Sequence, residues 1–358
     1  MIALNTTSVA WVIFVVVVVG WIAYYFLTSA SARRELGSEA EVAPNRKAYY
    51  DDEVLEGPRL ERMQILGVIM LATLVIGLPF YWILEPGREA GARDKATEEF
   101  VGWGRDLFKP TANGGFNCAG CHGGMKAAGG QAPYAITDPH TGEVKSVNWF
   151  APALNTVFYR YSKEEVRFIL NYGRPFSPMS AWGSPGGGPM SDQNIETLLV
   201  YLQSIQVQPE GCITKDDFVK DADPYVCDGG TLPQTNRDDI AKAVAAYQKA
   251  NPGASEGEAL FNLDLASGAY SCARCHTQGW SYGDPGVTAQ GGMGWNLTGG
   301  STNSHFPNEA DMISFVKAGS VLGKKYGVQG QGSGRMPGFG HLLTDEQIKA
   351  VVEYVRGL

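Results

Sequence analysis

The chain has 358 residues, a formal net charge of −8, and a composition that is 44% hydrophobic and 18% charged. Its length exceeds one ordinary domain and predicts two globular units together with whatever anchors them. The acidic balance argues against a nucleic-acid partner. The 45 glycines and the modest charge suit loop-rich domains that surround a large apolar cofactor.

The first predicted element is an uncharged apolar segment at residues 8–28, which is long enough to cross a bilayer. Trp21 and Tyr25 lie towards its end, as interfacial aromatic residues do. A cleaved signal peptide is the alternative, but residues 1–8 lack the Lys or Arg of a signal n-region, and the segment is longer than a usual h-region. We therefore expect residues 1–28 to form a retained transmembrane helix with a short N-terminus outside.

A second apolar segment, at residues 63–84, predicts a second transmembrane helix. The loop between the two helices, residues 29–62, is basic, whereas no basic residue precedes the first helix. Because cytoplasmic loops carry an excess of Lys and Arg, this bias places the loop in the cytoplasm and both termini outside, although Arg88, Arg93 and Lys95 follow the second helix. The basic residues of the loop are Arg33, Arg34, Arg46, Lys47, Arg59 and Arg62.

Residues 118–122 read CAGCH, the pattern that covalent attachment of a c-type haem requires, and residues 272–276 repeat it as CARCH. In this chemistry the two thiols add across the haem vinyl groups and the histidine becomes the proximal iron ligand. A structural zinc site or a thioredoxin-like redox pair is the alternative, but zinc would need both pairs to converge on one ion. We predict two covalently bound haem c groups, attached through Cys118, Cys121 and His122 and through Cys272, Cys275 and His276.

The sequence around the two motifs also repeats. GRDLF at residues 104–108 precedes the first motif, and GEALF at residues 257–261 precedes the second. Each copy closes with an amphipathic helix whose predicted N-cap is Ser191 in the first copy and Thr344 in the second. Because a small Gly lets another helix approach closely, we expect the first and last helices of each copy to cross at that glycine.

Each copy resembles a class I cytochrome c domain, with an N-terminal helix, a haem-binding turn, Ω-like loops, a methionine segment and a C-terminal helix. The resemblance covers residues 96–206 and residues 251–358. As a whole, the chain resembles the membrane-bound dihaem cytochrome c subunits of respiratory cytochrome bc complexes and haem-copper oxidases. The fold implied is mainly α, with a two-helix transmembrane anchor followed by two class I cytochrome c domains.

The resemblance implies a methionine as the sixth iron ligand, which raises the reduction potential. In the second copy Met336 lies in the segment GRMPGF just before the last helix, whereas the alternatives Met293 and Met312 lie outside that context. In the first copy Met179 lies in PMSAWG, although the family usually has Met followed by Pro. Met190 is the alternative there, but it fills the apolar position before the N-cap, where a staple residue is usual.

A proximal histidine needs an acceptor for its second ring nitrogen, commonly a backbone carbonyl. In the family a proline supplies it, which implies Pro152 for His122. The second copy departs from this pattern at residues 294–298, where the carbonyl of Trp295 is the candidate acceptor. None of the other histidines lies in a context typical of a ligand; these are His140, His305 and His341.

Residues 207–250 are polar and are predicted to form a linker between the two copies. Cys212 and Cys227 remain after the four haem thiols are assigned. An even remainder in a chain that matures outside the cytoplasm favours a disulfide between them, and two free buried thiols are the alternative.

No nucleophile and base pair, phosphate loop or carboxylate couple marks a substrate site, so we assign no catalytic residue. The sequence predicts an electron-transfer subunit of a respiratory complex in a bacterial inner membrane, with its haem domains on the extracytoplasmic side. It would pass electrons from a quinol-oxidising cytochrome bc-type donor to a soluble cytochrome c or a terminal oxidase. The alternatives are a cytochrome c subunit of a haem-copper oxidase itself, a dihaem peroxidase with an open sixth position, and a redox or gas sensor.

We predict that no cleavage follows the first apolar segment, because the uncharged N-terminus lacks a signal n-region. N-terminal sequencing of the mature protein checks this. A mature chain that begins after residue 28 would contradict the prediction.

Overall fold

The structure, a computed structural model, describes residues 15–27, 57–137, 141–211, 226 and 229–358. The chain divides into two compact units, Met1–Glu89 and Ala90–Leu358. The described residues are mostly helical, which agrees with the predicted fold class.

Two apolar helices lie towards the N-terminus: α1 is Val15–Leu27 and α2 is Pro58–Phe108. The most apolar window of α2 has a mean hydropathy of 2.2 and is not buried, so this helix could cross a membrane by its length and composition. No other helix of the described residues meets that test. The predicted second span, residues 63–84, lies within α2. Residues 8–14 and most of the loop 29–62 lie outside the described residues, so the first span stays a prediction.

Within the unit Ala90–Leu358 the buried apolar side chains form two clusters, one in residues 108–202 and one mainly in residues 226–355, and the parts of the chain around them are called the first and the second lobe. The first lobe, residues 96–206, begins within the last turns of α2. It then contains α3 (Cys118–His122), β1 (Gly130–Thr137), β2 (Val144–Ala151), α4 (Lys163–Tyr172) and α5 (Asp192–Ser204). The second lobe, residues 251–358, follows α6 (Gln234–Ala250) and contains α7 (Glu256–Phe261), α8 (Leu265–Gly268), α9 (Ala273–His276), α10 (Ser301–His305), α11 (Glu309–Ala318), β3 (Lys325–Tyr326), β4 (Gly330–Gln331) and α12 (Asp345–Arg356). The second cluster also includes Ala153 and Tyr159 of the first lobe, so the two lobes share buried apolar surface.

The last helix of each lobe begins at the predicted N-cap. The hydroxyl of Ser191 accepts a hydrogen bond from the backbone N–H of Asn194 at 3.3 Å, and that of Thr344 accepts one from Gln347 at 3.3 Å. Gln347 also accepts a bond from the backbone N–H of Thr344, which completes a capping box. Both predicted caps are confirmed, and they fix where α5 and α12 start.

The first and last helices of each lobe cross at the predicted glycine. A Cβ on Gly104 would overlap the carbonyl oxygen of Thr197 in α5, and one on Gly257 would overlap that of Ala350 in α12. Beside each crossing an aromatic pair packs, with ring centroids 5.2 Å apart for Phe108 and Tyr201 and 5.6 Å apart for Phe261 and Tyr354. The two lobes therefore have the same helix pair, closed by the same contacts.

The hairpin β1–β2 was not predicted. It is an antiparallel pair in which Gly130 faces Ala151, and it lies between the first CxxCH motif and Pro152. Few of its side chains are buried, so its sequence has no clear alternation of apolar and polar residues. Trp149 and Phe150 of β2 pack on the second lobe, with ring centroids 5.3 Å from Tyr282 and 5.8 Å from Trp280. The hairpin thus joins the two lobes.

Helix α6 lies within the segment predicted as a polar linker, residues 207–250. Its buried residues Ile240 and Val244 are four apart and share one helix face. The other faces are polar, which is why the segment reads as a connection in the sequence. Cys212 and Cys227 lie outside the described residues, so their disulfide stays a prediction.

Gly104→Ala should destabilise the first lobe by about 2 kcal/mol or more, because the added methyl group overlaps a backbone carbonyl that cannot move independently of α5. Chemical denaturation of the purified protein measures the effect. Gly102→Ala is the matched control on the same helix, since no heavy atom lies within 4 Å of its added Cβ. Equal stability of the two variants would contradict the proposed crossing.

Candidate haem-binding sites

The first CxxCH motif forms the one-turn helix α3. Asn117 before it and Gly123 after it both have left-handed backbone, with φ of 66° and 86°. The chain therefore turns sharply on both sides of the motif. Cys118 and Cys121 are three residues apart and lie on one helix face, with His122 next to them.

The second motif also forms a one-turn helix, but extended Thr277, with φ of −129°, follows it in place of a left-handed glycine. Cys272 is the N-cap of α9, and Cys275 and His276 lie in that helix. All four motif cysteines are half-buried and none is in a disulfide. Burial raises the pKa of Cys118 and of Cys272 to about 12, so these thiols are neutral in the folded chain.

The four thiols do not build a zinc site in the described part of the chain. No group of three or more His, Cys, Asp or Glu side chains is arranged there to hold a metal ion. A structural zinc would need four such ligands around one point. The motifs are thus two separate pairs, each followed by its own histidine.

His122 is held by the carbonyl that the family resemblance implied. Its Nδ1 lies 2.8 Å from the carbonyl oxygen of Pro152, at the end of β2. Burial lowers the pKa of His122 to about 4, so the ring is neutral. A neutral ring that donates its Nδ1–H to a carbonyl keeps the lone pair of Nε2 free for iron. The prediction of Pro152 as the acceptor is confirmed.

His276 has the corresponding contact with a different residue. Its Nδ1 lies 2.8 Å from the carbonyl oxygen of Trp295, and burial lowers its pKa. The prediction that this carbonyl replaces the proline of the family is confirmed. The backbone of Gly294 packs directly against the same ring, and a Cβ at this position would lie 2.7 Å from Cε1 of His276.

Met179 and Met336 occupy equivalent turns. After α4 and after α11 the chain passes through a left-handed glycine, Gly173 with φ of 69° and Gly319 with φ of 74°. The next residue in each lobe donates its backbone N–H to the methionine carbonyl, at 2.8 Å for Met179 and 3.0 Å for Met336. A Cβ on either glycine would lie 2.6 Å from that carbonyl oxygen. This equivalence supports Met179, for which the sequence gave the weaker pattern.

The alternative methionines, Met190, Met312 and Met293, do not lie in these turns. Met190 is fully buried in the first core, and Leu343, which cannot bind iron, fills the same position before the N-cap in the second lobe. Met312 is buried in α11 as part of the second core. Met293 lies between Gly292 and Gly294, in the loop that packs on the proximal histidine.

His305 and His341 have other contacts in the structure. His305 packs its ring against Phe306 and Tyr326, and Nδ1 of His341 lies 2.8 Å from the carbonyl oxygen of Gly230. His140 lies outside the described residues.

Arg160 is a feature that the sequence did not reveal. It is only 6% exposed, and it donates to the carbonyl oxygens of Ala153 in its own lobe and Ala269 in the other, at 2.5 and 3.3 Å. Burial lowers its pKa to about 10, so it stays charged at neutral pH. No carboxylate of the described residues pairs with it, and Nε of the nearby Arg274 has no hydrogen-bond partner there. A buried cation without an anion suits a cofactor that carries carboxylates, as haem does.

Comparison with known families places the second lobe among the cytochromes c, because residues 253–355 match a family of that class. The family is the one described as cytochrome c oxidase, cbb3-type, subunit III. The match supports a cytochrome c domain in the C-terminal lobe, and such a domain implies covalently bound haem c. The comparisons with curated proteins and with solved structures gave no match.

Gly294→Ala should displace His276, because the added methyl group would lie 2.7 Å from Cε1 and 2.8 Å from Nδ1 of the ring. We expect lower haem c content or a shifted potential for the second lobe only, measured by haem absorbance per chain and by redox titration. Gly286→Ala is the control, since its added Cβ meets nothing closer than 3.6 Å. Normal haem content and potentials in the Gly294 variant would show that the loop does not hold the ring.

Proposed function

We propose that the chain is a membrane-anchored dihaem cytochrome c that transfers electrons within a respiratory complex. The observation that carries this proposal is the repetition of one complete site. In each lobe a CxxCH helix is followed by a carbonyl that holds the proximal histidine and by a methionine in a turn behind a left-handed glycine. The family match covers the second of these sites, and the first has the same parts.

The residues that would hold the two haems follow from this arrangement. In the first lobe they are Cys118 and Cys121 for the vinyl groups and His122 and Met179 for the iron. In the second lobe they are Cys272, Cys275, His276 and Met336. Haem c, when bound, supplies a one-electron iron couple, and the protein supplies the position of the iron, its axial ligands and its insulation from water. With both axial positions filled, no open iron site remains for substrate, which argues against a peroxidase-type enzyme.

The anchor is proposed as two transmembrane helices, in α2 and in the segment that includes α1. Haem attachment takes place outside the cytoplasm, so the lobes would lie on the outer side of a bacterial inner membrane. The apolar surface of α2 supports its place in the bilayer. The basic residues of the predicted loop support a cytoplasmic position for that loop.

The electron donor would be a quinol-oxidising cytochrome bc-type complex, and the acceptor a soluble cytochrome c or a terminal oxidase. The match to subunit III of a cbb3-type oxidase favours a second candidate, in which the chain is itself a subunit of a haem-copper oxidase. In that case its partners would be the other subunits of the oxidase. The proteins that purify with the chain from mild detergent distinguish the two.

Replacing each proposed axial methionine by Ala should open one haem and only one. Met336→Ala should lower the potential of the second haem and let carbon monoxide bind to it, and Met179→Ala should do the same for the first, because the thioether that fills the sixth position is gone. The measurements are haem content, redox titration and carbon monoxide binding.

Met190→Leu is the matched control for these variants, because it reproduces the Leu343 of the second lobe and should leave both haems unchanged. A wild-type protein with one haem per chain would contradict the dihaem assignment. A wild-type protein with a haem that already binds carbon monoxide would favour the peroxidase class.

A further inference from the structure

We infer that the first lobe holds the methionine loop of the second lobe in place, so that the sixth ligand of the second haem is positioned by residues of the other domain. The positioning residues are Tyr161 and Arg174, together with the backbone of Arg160. This inference rests on the proposed dihaem function and adds to it a structural dependence of one haem site on the other lobe.

The first lobe contacts the loop immediately before the ligand. Nη1 of Arg174 donates to the carbonyl oxygen of Arg335 at 2.8 Å, and the hydroxyl of Tyr161 donates to the same oxygen at 3.2 Å. Arg335 is the residue that precedes Met336. Two donors from the first lobe therefore converge on the peptide bond that leads into the ligand.

A third contact lies immediately after the ligand. The backbone N–H of Gly338 donates to the carbonyl oxygen of Arg160 at 3.0 Å. Only Pro337 separates this contact from Met336. The loop is thus bound to the first lobe on both sides of the methionine, over a span of four residues.

The donors are themselves ordered by contacts within the first lobe. Nη2 of Arg174 donates to the hydroxyl of Tyr161 at 2.5 Å, and the guanidinium lies 5.1 Å from the centroid of the Tyr161 ring. Tyr161 directly precedes Ser162, whose capping box with Glu165 fixes the start of α4. The side chains of Tyr161 and Arg174 therefore hold each other in place, next to the capped N-terminus of α4.

The second lobe also bonds this loop, through Ser320 and through the carbonyls of Val316 and Lys317, which accept from the backbone N–H groups of Phe339 and Gly340. Ser320 accepts from the backbone N–H of Gly334 at 2.7 Å through its carbonyl and from that of Met336 at 3.1 Å through its hydroxyl, and it donates to the carbonyl of Met336. Apart from the two-residue strands β3 and β4, residues 319–343 lack regular strands and helices. A segment without regular secondary structure opens at lower free energy than a core helix or strand, so added bonds on both sides of the ligand matter there. The three bonds from the first lobe would therefore lengthen the time that Met336 remains on the iron.

The test uses the full-length holoprotein with Tyr161→Phe and Arg174→Gln, singly and together. Each variant should raise the carbon monoxide affinity of the second haem roughly tenfold, because one hydrogen bond from a charged or well-placed donor corresponds to about one factor of ten in the opening equilibrium. The far-red absorption band of methionine-bound ferric haem should weaken in parallel. The haem that changes should be the one that Met336→Ala opens, and the first haem should keep its band.

The three bonds from Tyr161, Arg174 and the carbonyl of Arg160 to the methionine loop are called the clamp. Matched controls separate its effect from general effects of substitution. Tyr172→Phe removes a hydroxyl at the other end of α4, where the ring packs on Phe168. Arg167→Gln removes a positive charge of the first lobe that is paired with Glu164 and Glu196 and makes no contact with the second lobe among the ion pairs of the described residues. Arg174→Lys keeps the charge but cannot bond both Tyr161 and Arg335 with a planar fork, so it should behave like Arg174→Gln. The two controls, Tyr172→Phe and Arg167→Gln, should match the wild type.

Each result has one meaning. If Tyr161→Phe and Arg174→Gln match the controls while Met336→Ala opens the second haem, the clamp is wrong and the dihaem function stands. If Arg174→Gln lowers the potential without added carbon monoxide binding, its effect is that of charge alone, and the clamp is again wrong. If the chain holds one haem, or Met336→Ala changes nothing, the proposed function fails first.

Discussion

A flat haem with ligands on both faces needs two side chains that approach from opposite directions. In each lobe the two proposed ligands come from distant parts of the sequence, so the chain has to fix two turns at once. The proximal turn is fixed by a carbonyl that bonds Nδ1 of the histidine, and the distal turn by a left-handed glycine whose neighbour bonds the methionine carbonyl. The helix crossing at Gly104 or Gly257 packs the first and last helices of the lobe together, and these helices form the frame that carries both turns.

The local parts of this frame could be predicted from the sequence because each depends on a few adjacent residues. The CxxCH turns, the caps at Ser191 and Thr344 and the close crossing at glycine are of this kind. The carbonyl of Pro152 followed from a family pattern, and that of Trp295 from its position alone. In all these cases the residue type and the physical role are directly connected.

The parts that the sequence did not reveal depend on contacts between distant residues. The methionine turns differ in length, because the second contains the strands β3 and β4, so their equivalence is visible only through Gly173 and Gly319. Arg160 has no sequence signal, since its role depends on the packing of two lobes. The hairpin β1–β2 has too little buried surface to show an apolar pattern, and α6 is amphipathic only weakly.

The contact between Trp295 and His276 involves a main-chain atom, while the Trp295 side chain is 82% exposed. Any residue whose backbone adopts this conformation can supply the same carbonyl. Position 295 is therefore free to change without loss of the proximal hydrogen bond, whereas its neighbour, position 294, accepts no side chain larger than a hydrogen atom. Two adjacent positions of the same loop thus differ in the substitutions they tolerate, because position 294 faces the ring of His276 and position 295 contacts it only through a backbone carbonyl.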